Sequence, residues 1–120
     1  MVKIEKVSWG KVRIDGQDYW QVLVVGKKVI PREVERVKQQ YGTDHVVADW
    51  EQKQLLSGKP RVILIANGWS GVLEVGSKFK AQSAKLGVEL KVVLTGKFSK
   101  EYQSLINEGK KVNGLIHTTC

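Results

Sequence analysis

Apolar and polar residues alternate over residues 7–14 and again over 19–25, the period of a half-buried strand. Asp15-Gly16 lies between the two stretches and suits a tight turn, so this part of the chain predicts an antiparallel hairpin. A second turn at Gly26-Lys27-Lys28 leads to Val29-Ile30. Pro31 then falls where a helix can start, because the first turn has no use for its missing N–H. Val34, Val37 and Tyr41 follow at spacings of three and four, one apolar stripe that Gly42 ends. After a loop over 43–47, Asp49 is placed to cap a second helix containing Trp50, Gln54 and Leu55, stopped by Gly58 with Pro60 beyond.

From residue 61 the pattern becomes regular. Residues 61–66 read as a strand, Arg61 followed by a continuous apolar run, as expected of a strand buried on both faces. A loop over 67–71 and a short extended stretch over 72–75 precede a helix capped by Ser77 and closed by Gly87. Residues 88–94 read as another strand. Thr95 is placed to cap a helix carrying Phe98, Tyr102, Leu105 and Ile106, closed by Gly109, and 112–116 is the last strand. Strand, helix, strand, helix, strand at these lengths predicts parallel pairing with right-handed crossovers. The expected fold is therefore α/β: one three-layer domain over residues 1–120, with a mixed, mainly parallel central sheet and an N-terminal antiparallel hairpin.

Composition adds little that is specific. The chain has 120 residues, 42% of them hydrophobic and 27% charged, which suits an ordinary globular domain. The net charge of +8 invites a nucleic-acid reading. No run of four basic residues occurs, however, and most lysines fall on predicted solvent faces, so nucleic acid is not the expected partner. The longest apolar run, 62–66, is far shorter than a membrane helix requires, and the first residues lack the apolar stretch of a signal peptide. One cysteine forms no internal disulfide. The expectation is a soluble, cytoplasmic protein.

In an open α/β sheet, ligands bind beyond the carboxyl ends of the parallel strands. Three such ends can be read here: Asn67-Gly68-Trp69-Ser70-Gly71, Thr95-Gly96, and His117-Thr118-Thr119-Cys120. They should share one rim. The glycines of the first loop would let backbone approach a ligand, yet their spacing is not that of a phosphate-binding loop. His117 with Cys120 could form an activated thiolate, or could simply be a structural histidine and a free thiol. No third orienting residue announces itself, so no catalytic residue is assigned and the reading leans away from an enzyme. Two histidines and a cysteine without paired spacing assign no metal, and nothing implies a cofactor. His45 is a secondary candidate only, since Thr43-Asp44-His45 after Gly42 better suits a side-chain turn. Four tryptophans, Trp9, Trp20, Trp50 and Trp69, are many for this length, and any two exposed together would form an interaction patch.

Taken together, Ser8-Trp9-Gly10, Gly42-Thr43-Asp44-His45 and the tail from Tyr102 through Leu105, Gly109 and Val112 to His117-Thr118-Thr119-Cys120 form a recognisable set. This chain resembles a small α/β family of unknown function. That family includes the mitochondrial complex I (NADH dehydrogenase) alpha-subcomplex assembly factor, an adipogenesis-associated cytosolic protein, and archaeal and bacterial members. The resemblance spans about residues 8–120 and is most specific from Tyr102 onward, which adds Tyr102 to the rim candidates. It implies a three-layer α/β fold, no established enzymatic activity, and action through protein partners. It also has departures. Asn67 stands where the family tends to have glycine, Phe98 where alanine is usual, Gln103 where asparagine is usual, and Gln21 at a place that is often acidic.

The expected function is thus a non-catalytic protein-interaction or assembly-type domain. The alternative is a small-ligand binder or enzyme using the polar rim. A homodimer through the edge of the hairpin also stays open.

Overall fold

A computed structural model describes residues 1–120. The Asp15-Gly16 turn forms with both residues at positive φ, 48° and 82°, and joins β2 (Lys11–Ile14) to β3 (Gln17–Tyr19). Residues 7–14 are not one strand, though. A turn at Trp9-Gly10 splits them, and β1 (Ile4–Ser8) folds back on β2 with Ser8 opposite Lys11. Gly10, at φ 71°, supplies the left-handed residue that this turn requires, and its N–H donates to the Thr118 carbonyl at 2.9 Å. Residues 19–25 are likewise divided. The chain leaves the three-stranded sheet at Trp20-Gln21, and β4 (Val22–Val25) enters a second sheet. The physical reason is burial. Val22, Leu23 and Val24 are covered on both sides, which a hairpin strand with one wet face cannot provide.

β4 turns into β5 (Lys28–Pro31). Pro31 is the last strand residue, opposite Val22, and does not start a helix. β5 lies at the border of its sheet, where a missing N–H is tolerated. Helix α1 (Val34–Tyr41) follows only after Glu33 and ends at left-handed Gly42. In α2 (Asp49–Leu56) the cap position is Ala48, with Asp49 one step inside. The carboxylate of Glu51 accepts the Ala48 N–H at 3.0 Å, half of a capping box, and this replaces the expected Asp49 cap. In α3 (Ser77–Lys85) the cap is Gly76, not Ser77.

The second sheet has the order β5-β4-β8-β6-β7, built from β6 (Val62–Asn67), β7 (Glu89–Val93) and β8 (Val112–His117). β6 pairs parallel with both β7 and β8, and β4 is antiparallel to its two neighbours, so four of the five strands point the same way. Each sheet face carries its own core. Leu23, Ile63, Ile65 and Leu115 pack against Leu55 of α2 and Phe79 of α3. Val24, Leu64 and Ile116 pack on the other face against Val12 and Ile14 of the small sheet and against helix α4 (Phe98–Asn107) through Phe98, Tyr102 and Leu105. The result is three layers. Gly114 at the centre of β8 lets Phe98 lie on the sheet: a Cβ there would stand 3.0 Å from the phenyl ring and 3.0 Å from the Leu64 carbonyl. No helix is long and apolar enough to cross a membrane.

Candidate functional site

The parallel pairing brings the expected strand tips together. Asn67 and His117 are register partners at the ends of β6 and β8. Thr95 begins a single 3₁₀ turn, Thr95–Lys97, directly before α4, and its hydroxyl does not cap the helix. Instead it donates to the His117 carbonyl at 2.6 Å and accepts the Gly68 N–H at 2.9 Å, while the Thr95 N–H returns to the Gly68 carbonyl at 3.0 Å. One buried hydroxyl therefore staples all three tips.

The space beyond the tips is occupied by residues 118–120. The Trp69 N–H donates to Thr119 O (2.8 Å), and the N–H groups of Ser70 and Val72 donate to Cys120 O (3.0 and 3.3 Å). Gly68, at φ 110°, must be glycine, because a Cβ there would collide with the Cys120 carbonyl. Gly71, at φ 74°, stands beside Asn67 and Leu94. Cys120 is exposed, and it is its carbonyl that is built into the rim.

Behind the rim lies a polar chain that the spacing of residues did not announce. His117, fully buried, shares a 2.8 Å hydrogen bond between Nδ1 and Gln21 Oε1. Arg32 Nη1 donates to the same oxygen at 2.9 Å, so that oxygen is an acceptor and His117 carries its proton on Nδ1. Arg32 also grips Glu51 in a bidentate pair, Nε to Oε2 at 2.6 Å and Nη2 to Oε1 at 2.9 Å, and donates to the Val46 carbonyl. Both side chains of the pair are buried. Burial, with the Arg32 charge adding to it, lowers the His117 pKa to about 4, so the imidazole is neutral at pH 7. Its Nε2 faces the Thr119 hydroxyl at 3.4 Å. His45 presents its ring edge-on to His117, with centroids 5.3 Å apart, and lies 3.6 Å from Asp44. Its N–H donates to Thr43 Oγ1 at 3.1 Å, the side-chain turn that the sequence suggested.

Tyr102 alone among the candidates lies away from this cluster. Helix α4 runs back from the rim, so Tyr102 sits in the core near Val2, its hydroxyl donating to Val2 O at 3.4 Å. Burial raises its pKa, with Asp15 adding to the effect.

The rim's most prominent feature is aromatic. Thr118 accepts the Trp69 indole N–H (2.9 Å) and the Gly10 N–H (2.9 Å) on its carbonyl, and its hydroxyl donates to Trp20 O (2.6 Å). One buried threonine thereby ties together the segments bearing Trp9, Trp20 and Trp69. Trp9 is 62% exposed and Trp20 50%, whereas Trp69 is half-buried against Gly96. Trp50 belongs elsewhere, beneath the Arg36 guanidinium at 3.9 Å. Arg32 and Glu51 escaped the sequence reading, in which Gln21 figures only as a departure from the family pattern and Thr118 only as part of a strand-end segment. Only the high tryptophan count hinted at the patch.

These features define a small three-layer α/β domain whose strand tips are stapled and covered by its own residues 118–120. The chain belongs to the family described as a protein of unknown function (DUF498/DUF598), matched over residues 4–117. It is similar to the solved structure MT938, with 30% identity, all of both chains covered and a TM-score of 0.80. It is also similar to a conserved hypothetical protein, PH1505, from Pyrococcus horikoshii OT3, with 27% identity, 98% and 99% of the two chains covered and a TM-score of 0.78. XCC1710 from Xanthomonas campestris shares the fold, with a TM-score of 0.75 at 13% identity over 98% of this chain and 85% of that one.

Proposed function

We propose that this is a cytoplasmic, non-catalytic protein-interaction or assembly-type domain, and that its docking face is the strand-tip rim around Thr118. The observation that carries this reading is the pair of exposed indoles, Trp9 and Trp20, on segments fixed by hydrogen bonds to one buried residue. Tryptophan is the residue most enriched among those that dominate binding energy at protein interfaces. Anchoring its backbone beforehand reduces the ordering cost of association. The same rim is filled by residues 118–120, whose carbonyls take up the N–H groups of Trp69, Ser70 and Val72. That favours a surface over a pocket for small molecules.

The experiment is affinity capture from native lysate with the wild-type protein and with W9S/W20S. Both side chains face solvent, so the double variant should keep its fold and its melting temperature. The reading expects a reproducible protein partner that the double variant loses. Capture of the same proteins by both forms, or of none by either, would refute it.

A further inference from the structure

The borders of the two sheets differ in how they end. β5 carries Lys28 and closes with Pro31, both of which discourage the addition of a further strand. In the small sheet β1 breaks register between Ile4 and Lys6, and β3 has only three residues. β7 has neither a proline nor a break in register, and β6 is its only partner strand. The Glu89 N–H donates to the Arg61 carbonyl at 3.0 Å, so Glu89, Lys91 and Val93 turn their backbone groups inward to β6. Leu90 and Val92 therefore turn theirs outward, as does the Val88 carbonyl, which points away from the Glu89 N–H of the same peptide. No other group of the chain takes them up. Gly87, at φ 74°, turns the chain, and the Val88 N–H bonds to the Ser83 carbonyl, so this open ladder begins at the Val88 carbonyl and leaves Leu86 out.

An antiparallel copy of β7, related by a two-fold axis at Leu90, complements this border. Leu90 then faces Leu90 of the other copy, and Val92 faces Val88, at the positions where ladder hydrogen bonds form. Glu89 faces Lys91 at the intervening positions, where cross-strand side chains approach most closely. Glu89 is exposed and has no ion pair within its own chain. Lys91 bonds to Glu101 at 2.6 Å and keeps further N–H groups to donate. On the opposite face Val92, 38% exposed, comes against Val88. Charge fixes the register. Moving the axis to residue 89 or 91 would set Glu89 against Glu89 or Lys91 against Lys91, which is unfavourable.

From this open ladder and the match of Glu89 to Lys91, we infer that the chain associates with a second copy of itself through β7. The Leu90 and Val92 N–H groups of each copy donate to the Leu90 and Val88 carbonyls of the other, and the two five-stranded sheets become one. A single strand pair is smaller than a standard interface, so the association is reversible. It uses neither Trp9 nor Trp20 and is independent of the docking reading.

The test is sedimentation equilibrium of the wild type, E89K, K91E and an equimolar mixture of the two variants, up to about 1 mM chain. The wild type is expected to show a monomer–dimer equilibrium. Each variant alone sets like charges opposite one another twice and should dimerise about tenfold more weakly. In the mixture every position 89 meets the opposite charge at position 91 of the other copy, and dimerisation should return. Amide hydrogen exchange of the wild type locates the contact: Leu90 and Val92 should become protected as concentration rises. Glu89 is exposed, so E89K should keep its melting temperature; if K91E loses its fold with the Glu101 pair, E89K and the exchange data still decide. A wild type that stays monomeric at about 1 mM, E89K dimerising as tightly as the wild type, a mixture of two folded variants no tighter than either, or protection at residues 4–8 in place of 90 and 92 would each overturn the inference.

Discussion

Asn67 and His117 stand side by side as the last register partners of two parallel strands, and the Thr95 hydroxyl closes the gap to the third tip through the His117 carbonyl and the Gly68 N–H. This relationship makes one rim out of three loops far apart in sequence. It also makes the rim rigid, because the stapling groups are buried and mutually bonded.

Thr95→Val keeps the shape of the side chain and removes the hydroxyl. The Gly68 N–H and His117 carbonyl then lose a buried partner, at a cost of about 2 to 4 kcal/mol. Thr95→Ser should recover most of this. Urea unfolding midpoints of the three proteins provide the check; equal midpoints for wild type and T95V would contradict the staple.

Gly68→Ala combines two penalties, a left-handed backbone position and a collision with the Cys120 carbonyl. Gly10→Ala suffers only the first, since its surroundings are open, and should cost about 1 to 2 kcal/mol. G68A is expected to cost more and to expel residues 118–120, releasing the indole N–H of Trp69. A red-shifted tryptophan emission in G68A but not in G10A would record it.

The buried Arg32–Glu51 pair is a further point of vulnerability. Arg32→Met strands a carboxylate in the interior and should cost about 3 to 5 kcal/mol, whereas R32M/E51L should regain much of that loss. The double-mutant cycle, read by denaturant unfolding, should give a coupling of well over 1 kcal/mol.

The His117 pKa falls from the ordinary 6.5 to about 4 on folding, so between these values the unfolded chain binds the extra proton. Its contribution is therefore fully present above pH 6.5 and is lost as pH drops toward 4, by about 3 kcal/mol when complete. Stability measured from pH 7 to 4 should fall less steeply in His117→Gln than in the wild type. Identical slopes would mean that the imidazole is not held neutral.

Much of the architecture was legible in the amino-acid pattern because it is local. The apolar run at 62–66, the helix-ending glycines at 42, 87 and 109, and the alternation before Asp15 each carry their own period or stop signal. The misreadings arose where tertiary contacts decide. Pro31 looked like a helix start because nothing nearby shows that it will border a sheet. Thr95 looked like a cap because the groups it serves lie 22 and 27 residues away. Tyr102 was grouped with the rim, although α4 carries it toward the other end of the sheet. The chain from His117 through Gln21 and Arg32 to Glu51 spans separations of 96, 11 and 19 residues, which no periodicity connects.

The docking face is tested most directly by placing a photo-cross-linking amino acid at position 20 and, as a control, at position 86. Leu86 is also exposed, at 61%, but follows α3 at the far end of the strands. After irradiation in the native host, the account predicts a discrete adduct with one protein from position 20 and none from position 86. No adduct at position 20, or the same adducts from both positions, would contradict it.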